Sequence, residues 1–266
     1  MTGNGKGLIA GATGEQWTDQ QLTVVAQVGE LRLMTGRQLQ LLHYPDDRYS
    51  SHEAAARAAR RSLERLVRER LLGRRERRIG GVRAGSASFV YGIGPAGERL
   101  LGLTQTRRHR LEPAAMFVTH TLAVAELVVD LTLAARAGHV ELLVVEAEPD
   151  CWRAVPGFGT GQMLRPDLFV MLGVGDFEHR FFVEVDRGSE HGPALLRKCR
   201  LYDAYYRSGT EQEAHGVFPR VLWLVPDERR LTQLRGVIEG DRYLTDGLFV
   251  SATFDRVIEV ITGGAL

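Results

Sequence analysis

Apolar positions recur at helical spacing from Leu22 through Val25 to Val28 or Gly29, and Thr18 stands ahead of them with a hydroxyl able to cap a helix over Asp19–Glu30. Thr35-Gly-Arg-Gln-Leu-Gln-Leu-Leu reads as a second, short helix that stops before Pro45. Ser50 or Ser51 caps a longer third helix from about Glu53 to Arg70. The stretches from Leu71 to Arg78 and from Ala87 to Ile93 are short, extended and joined through a Gly-containing turn, which predicts a β-hairpin. Pro95 opens a further helix.

The pattern changes after the polar, basic stretch 104–113, which reads as a linker. A long helix over Phe117–Ala137 carries apolar residues at Leu122, Val124 or Ala125, Val128, Val129, Leu131 and Leu133. Strands are expected at Val140–Glu146, Asp167–Leu172 and Arg180–Asp186, then a helix at about Ala194–Tyr206, an apolar strand at Val221–Val225 and a helix at Arg229–Ile238. The order αβββαβα predicts a mixed sheet with helices on both faces. The expected division is a Gly-rich, disordered lead-in at 1–16, a first domain at 17–103, the linker at 104–113 and a second domain at 114–266.

Charge gives the two halves different work. From Thr18 to Arg110 there are 18 arginines against 9 acids, a net +9, whereas Leu111 to Leu266 carries 15 cations against 23 acids, a net −8. A basic half attracts polyanions. On the third helix Ala59, Leu63, Leu66, Val67 and Arg70 fall on one side, and Arg57, Arg61, Arg65 and Arg68 on the other. An arginine stripe opposite a packing face can run along a major groove, its forked guanidiniums meeting phosphates and guanine edges. Arg74, Arg75, Arg77 and Arg78 on the hairpin extend the reach to the adjacent backbone. Three short helices followed by a basic hairpin is the element order of a winged helix-turn-helix, and duplex DNA is the partner it implies. One such module covers a short site, so a homodimer is expected as well.

Other classes recede. The composition, 44% hydrophobic and 25% charged, is that of a globular chain. No apolar run is read as long enough to span a bilayer and the first residues lack the features of a secretory signal, so a cytoplasmic protein without a membrane partner is expected. Cys151 and Cys199 stand far apart, in no metal-ligand spacing, and read as reduced thiols. No phosphate loop, dinucleotide fingerprint or nucleophile elbow appears.

Carboxylates in the second half stand where apolar residues belong. Asp167 opens a strand directly after Pro166, and Glu184 and Asp186, two apart on the next strand, project from one face. Mg²⁺ takes oxygen ligands from one or two carboxylates and keeps several waters, and Asp167 with Glu184 on a neighbouring strand are the candidate metal ligands.

Pro-Asp, then Glu-Val-Asp, in an αβββαβ frame resembles the core of PD-(D/E)xK nucleases, the restriction-endonuclease-like fold. That resemblance implies an acidic pair holding a metal that activates water, with a lysine two residues after the second acid. Here that position is Asp186; Lys198, on the next helix, is the candidate to take the lysine's place, and Glu126 a candidate outer carboxylate. The segments Thr119–Leu127, Glu148–Arg153, Leu164–Asp167, Phe177–Gly188, Tyr205–Gly209 and Val217–Asp227 resemble replication-relaxation proteins of actinobacterial plasmids and mobile elements, over about Trp17 to Asp255. The resemblance implies a DNA-binding protein of plasmid or mobile-element replication and maintenance, with other replication proteins as partners. Two alternatives stay open beside it: a Mg²⁺-dependent DNA endonuclease using Asp167 and Glu184, with Asp186 and Lys198 as further catalytic candidates, and a transcriptional regulator whose second domain senses a ligand.

Overall fold

In a computed structural model the described residues are 17–75, 89–103, 115–156, 162–188 and 190–263. The expected lead-in, the linker 104–113, Arg77 and Arg78 lie outside them. The fold is mixed α and β, and the chain divides into two compact units, 1–129 and 130–266.

The first unit opens with α1 (Asp19–Leu31), β1 (Leu33–Thr35) and α2 (Gly36–His43). Both helices begin in reciprocal capping boxes, Thr18 with Gln21 and Thr35 with Gln38, so orphan N–H groups at each start are satisfied. Helix α3 (His52–Arg68) is capped by the Ser51 hydroxyl, followed by β2 (Leu72–Arg75), β3 (Val90–Ile93) and α4 (Pro95–Leu100). The strands form an antiparallel sheet in the order β1-β3-β2. Strand β1 is an addition to the expected elements: three residues of Leu-Met-Thr between two helices carry no alternation that a sequence pattern can register. Leu22, Val25, Met34, Leu39, Leu63 and Leu66 are buried in this unit, each such side chain stabilising the fold by ~1.5–3 kcal/mol.

Helix α3 ends two residues before the expected Arg70. Leu71 N–H bonds to the Leu66 carbonyl and Arg70 N–H to the Val67 carbonyl, a Schellman closure that places Arg70 at φ 62° and leaves its side chain exposed rather than on the packing face. The chain then turns under α4, where Gly94 N–H bonds to the Leu71 carbonyl. A Cβ on Gly94 would lie 2.3 Å from the Arg70 carbonyl oxygen, so only glycine permits this approach.

Helix α5 (Ala115–Arg136) crosses the division between the units. By length and composition it is apolar enough to cross a membrane, contrary to the expectation that no run would be, for Glu126 and Asp130 interrupt the apolar sequence without lowering its mean hydropathy enough to matter. A core helix passes the same test. Leu122, Ala125, Leu127, Val129 and Leu131 are buried, while Leu133, expected on the apolar face, is exposed.

The second unit is built on a five-stranded sheet of order β10-β9-β8-β7-β4. Its strands are β4 (Glu141–Ala147), β7 (Leu168–Val174), β8 (Phe177–Val185), β9 (Arg220–Val225) and β10 (Phe249–Thr253). A two-stranded pair, β5 (Arg153–Ala154) and β6 (Met163–Leu164), precedes β7. Strands β4, β7 and β8 run antiparallel, and β8, β9 and β10 parallel, so the sheet is mixed. Parallel neighbours need crossovers, supplied by α6 (Gly192–Ser208) with α7 (Thr210–His215), and by α8 (Glu228–Glu239); α9 (Val257–Ile261) closes the described chain. Strand β10 is a further addition, since Phe-Val-Ser-Ala-Thr is short and only half apolar. One core joins Phe169, Phe182, Val221, Trp223 and Val225 to Leu195, Cys199 and Tyr202 of α6 and Leu231 and Leu234 of α8. Both cysteines are free and buried.

Candidate functional site

Two groups of side chains carry the chemistry the sequence pointed to, one in each unit.

On α3, Ala55, Ala59, Leu63 and Leu66 are buried. The opposite side carries Arg57, Arg61 and Arg68, all exposed, and Arg60, exposed beside them, escaped the sequence reading because it sits at the stripe's margin. Arg57 lies 3.6 Å from Glu53 and Arg68 3.4 Å from Glu69; pairs this exposed contribute at most ~1 kcal/mol, so both guanidiniums remain exchangeable. Arg60 and Arg61 form no ion pair among the described residues. Arg65 is different: half-buried, it lies 4.8 Å above the Trp17 ring, just ahead of α1. On β2, Arg74 stacks 4.2 Å over Phe89 and Arg75 is exposed. Stacking fixes one face of the Arg74 guanidinium, and a side-chain hydrogen bond with Tyr91 engages part of its edge.

In the second unit Asp167, Glu184 and Lys198 come together. Glu184 is fully buried on β8, beside Trp223 of β9 in the sheet register. Helix α6 presents Lys198 and Tyr202, one turn apart, to its two oxygens: the Tyr202 hydroxyl donates to Oε1 at 2.5 Å, and Lys198 Nζ lies 2.5 Å from Oε2, off the hydrogen-bonding direction. The ammonium also sits 5.5 Å over the Trp223 ring and 3.7 Å from Glu190. Asp167, at the edge of β7, accepts from the Val185 N–H at 2.7 Å and adds its charge to both neighbours.

Burial in an apolar core pushes the Glu184 carboxyl up to about 8, against the pull of Lys198. Burial also disfavours the ammonium, but Glu184, Asp167 and Glu190 outweigh it and hold Lys198 above the ordinary lysine range. The Tyr202 phenol is raised by the same burial and by Glu184.

Asp186 follows β8 and is turned to other work. Its Oδ1 accepts from the Gly188 N–H at 2.7 Å, and its Oδ2 meets Arg230 at 2.6 Å. Glu126 accepts from Gln38 Nε2 at 2.6 Å within the first unit. Sequence reasoning missed Tyr202; its position four residues after Lys198 was the available signal.

The family model for replication-relaxation proteins matches residues 25–221, more than half of the chain and parts of both units. The chain belongs to the replication-relaxation family. The match includes α3, Asp167, Glu184 and Lys198 and stops within β9. No curated protein and no solved structure matches the chain.

Proposed function

We propose that this replication-relaxation protein binds duplex DNA through its first unit and serves plasmid or mobile-element replication. The supporting observation is α3, with Arg57, Arg61 and Arg68 opposite its buried Ala55, Ala59, Leu63 and Leu66, and Arg60 exposed at the margin. The order helix, strand, helix, helix, strand, strand, with β1 paired beside β3, supports a winged helix-turn-helix reading. In this reading α3 enters the major groove and Arg74 and Arg75 of β2 approach the flanking phosphates. A second copy on a neighbouring half-site would double the contacts.

The test is fluorescence anisotropy of the full chain on a duplex at several salt concentrations. Arg57→Ala with Arg61→Ala is expected to weaken binding at least tenfold and to reduce the slope of log K against log salt by about two, roughly 0.9 for each phosphate that is no longer neutralised. Unchanged affinity and slope would exclude α3 as the DNA-reading helix.

One observation favours a second reading, cleavage of a phosphodiester by a PD-(D/E)xK-like second unit: Lys198 reaches Glu184 from the neighbouring helix, where a lysine at position 186 would otherwise be needed. The donor set suits a hard cation, since Asp167 and Glu184 are two carboxyl groups close enough to interact, and a cation would compete with Lys198 for Glu184 Oε2. Asp167 and Glu184 would hold Mg²⁺, which when bound polarises a phosphoryl oxygen and acidifies water. Tyr202 orients Glu184, and Lys198 places a fixed positive charge against the acidic pair. Nicking of supercoiled plasmid with Mg²⁺ or Mn²⁺ that is abolished in both Asp167→Asn and Lys198→Met would support this reading. No nicking by the unaltered chain, with no metal binding by calorimetry, would leave the DNA-binding reading alone.

A further inference from the structure

Tyr243 is 64% exposed, an aromatic ring offered to solvent. Its surroundings are built rather than incidental. Asp241, buried, accepts from the Tyr243 N–H at 3.1 Å through Oδ1 and from Arg200 Nε at 2.8 Å through Oδ2. Asp203, buried on α6, accepts from the Thr245 N–H at 2.9 Å through Oδ1 and holds Arg207 Nε at 2.8 Å through Oδ2. Arg207 also donates to the Tyr243 carbonyl at 2.5 Å, and the Arg242 guanidinium lies 4.9 Å from the centre of the Tyr243 ring, its Nη2 donating to the Tyr243 hydroxyl at 2.8 Å. Two buried aspartates thus pin both ends of the segment 241–245 to α6 and fix the tyrosine's backbone, while the ring itself supports nothing in the core.

The arginines are held in a particular way. Arg200 is tethered through Nε, so its two terminal amino groups have no protein partner among the described residues, and these form the fork that fits a phosphate. Arg197, one turn earlier on the same side of α6, is exposed and makes no ion pair among the described residues. Arg197, Arg200 and Arg207 follow helical spacing along one stripe.

We propose that Tyr243, with Arg197, Arg200 and Arg242, is a binding platform for single-stranded DNA. The chemistry selects that ligand. An exposed ring capped on one side by a guanidinium accepts a nucleobase by stacking, and neighbouring forks take the phosphates on either side. A duplex hides its base faces in its own stack and cannot use the ring. Tyr243 and Arg242 lie beyond residues 25–221, so the stacking ring and its cap belong to this chain and not to the family match. The platform takes its ligand class from the DNA-binding reading but uses none of the residues of α3, and each can fail without the other.

The test is anisotropy of the full chain with a labelled oligonucleotide, single-stranded and then annealed to its complement. Tyr243→Ala is expected to weaken single-strand binding about tenfold, which corresponds to ~1.4 kcal/mol and lies within the range for one stacked base. Duplex binding stays unchanged, and Tyr243→Trp restores single-strand affinity and gains fluorescence quenching on binding. Arg57→Ala with Arg61→Ala behaves oppositely, losing the duplex and keeping the single strand. The proposal is overturned if the unaltered chain does not bind the single strand, if Tyr243→Ala leaves that binding unchanged, or if it weakens both forms of DNA equally. Failure of the unaltered chain to bind the duplex while it binds the single strand would count against α3 only.

Discussion

Glu184 shows how far one residue can depart from what its type dictates. A fully buried carboxyl that accepts from the Tyr202 hydroxyl beside Trp223 keeps its proton well above the ordinary range, to about 8, although Lys198 sits against it. The folded state therefore holds a proton that the unfolded chain releases near pH 4.5, so its contribution to stability is complete below that pH and is lost as pH rises to about 8. Thermal unfolding followed from pH 4.5 to 8 should show stability falling over this window, and Glu184→Gln should flatten the fall. An equally steep decline in Glu184→Gln would assign the proton to another group. The sequence carried part of this site: Asp167 and Glu184 were legible as acids in strands, and Lys198 as the lysine on the following helix. Tyr202 was not, because a tyrosine on the packing face of an amphipathic helix reads as core, and here it is both core and hydrogen-bond donor. The engagement of Asp186 by Arg230 was not legible either, since the two are 44 residues apart in sequence and meet only through the sheet.

At the scale of elements, the helices were legible where a cap and a repeat agreed. Thr18, Thr35 and Ser51 each mark a helix start that the structure retains. Ends were less legible, and α3 shows why. The side that packs, read from the sequence, continues past Val67 to Arg70, but the backbone leaves the helix at Arg68 because Leu71 is buried and the closing bonds to Leu66 and Val67 turn the chain toward β2. An arginine in the left-handed region costs ~1–2 kcal/mol that glycine does not incur. Arg70→Gly is accordingly expected to raise stability by about 1 kcal/mol, read as a higher midpoint in urea. A lower midpoint would mean that the exposed Arg70 side chain makes interactions that outweigh the strain. Strands β1 and β10 escaped the sequence for a different reason: each takes its identity from the neighbour it pairs with, and neither carries a pattern of its own.

On the scale of the molecule, charge and chemistry separate along the chain. The exposed arginines of α3 belong to a first half of net +9, whereas the buried acids belong to a second half of net −8. If both proposed contacts operate, duplex and single strand are taken by different units, which is the division of labour that opening a replicating DNA requires. The mixed sheet of the second unit depends on its last strand in a way its order alone does not advertise. Strand β9 is Val-Leu-Trp-Leu-Val after Arg220, buried throughout, with β8 on one side and β10 on the other. A chain cut before Phe249 would retain β9 but present its five apolar residues, Val221–Val225, as an edge with no charge or proline among them. Such an edge recruits its own kind, so the removal of the last 18 residues, none of them in either proposed contact, would turn a folding unit into a template for aggregation.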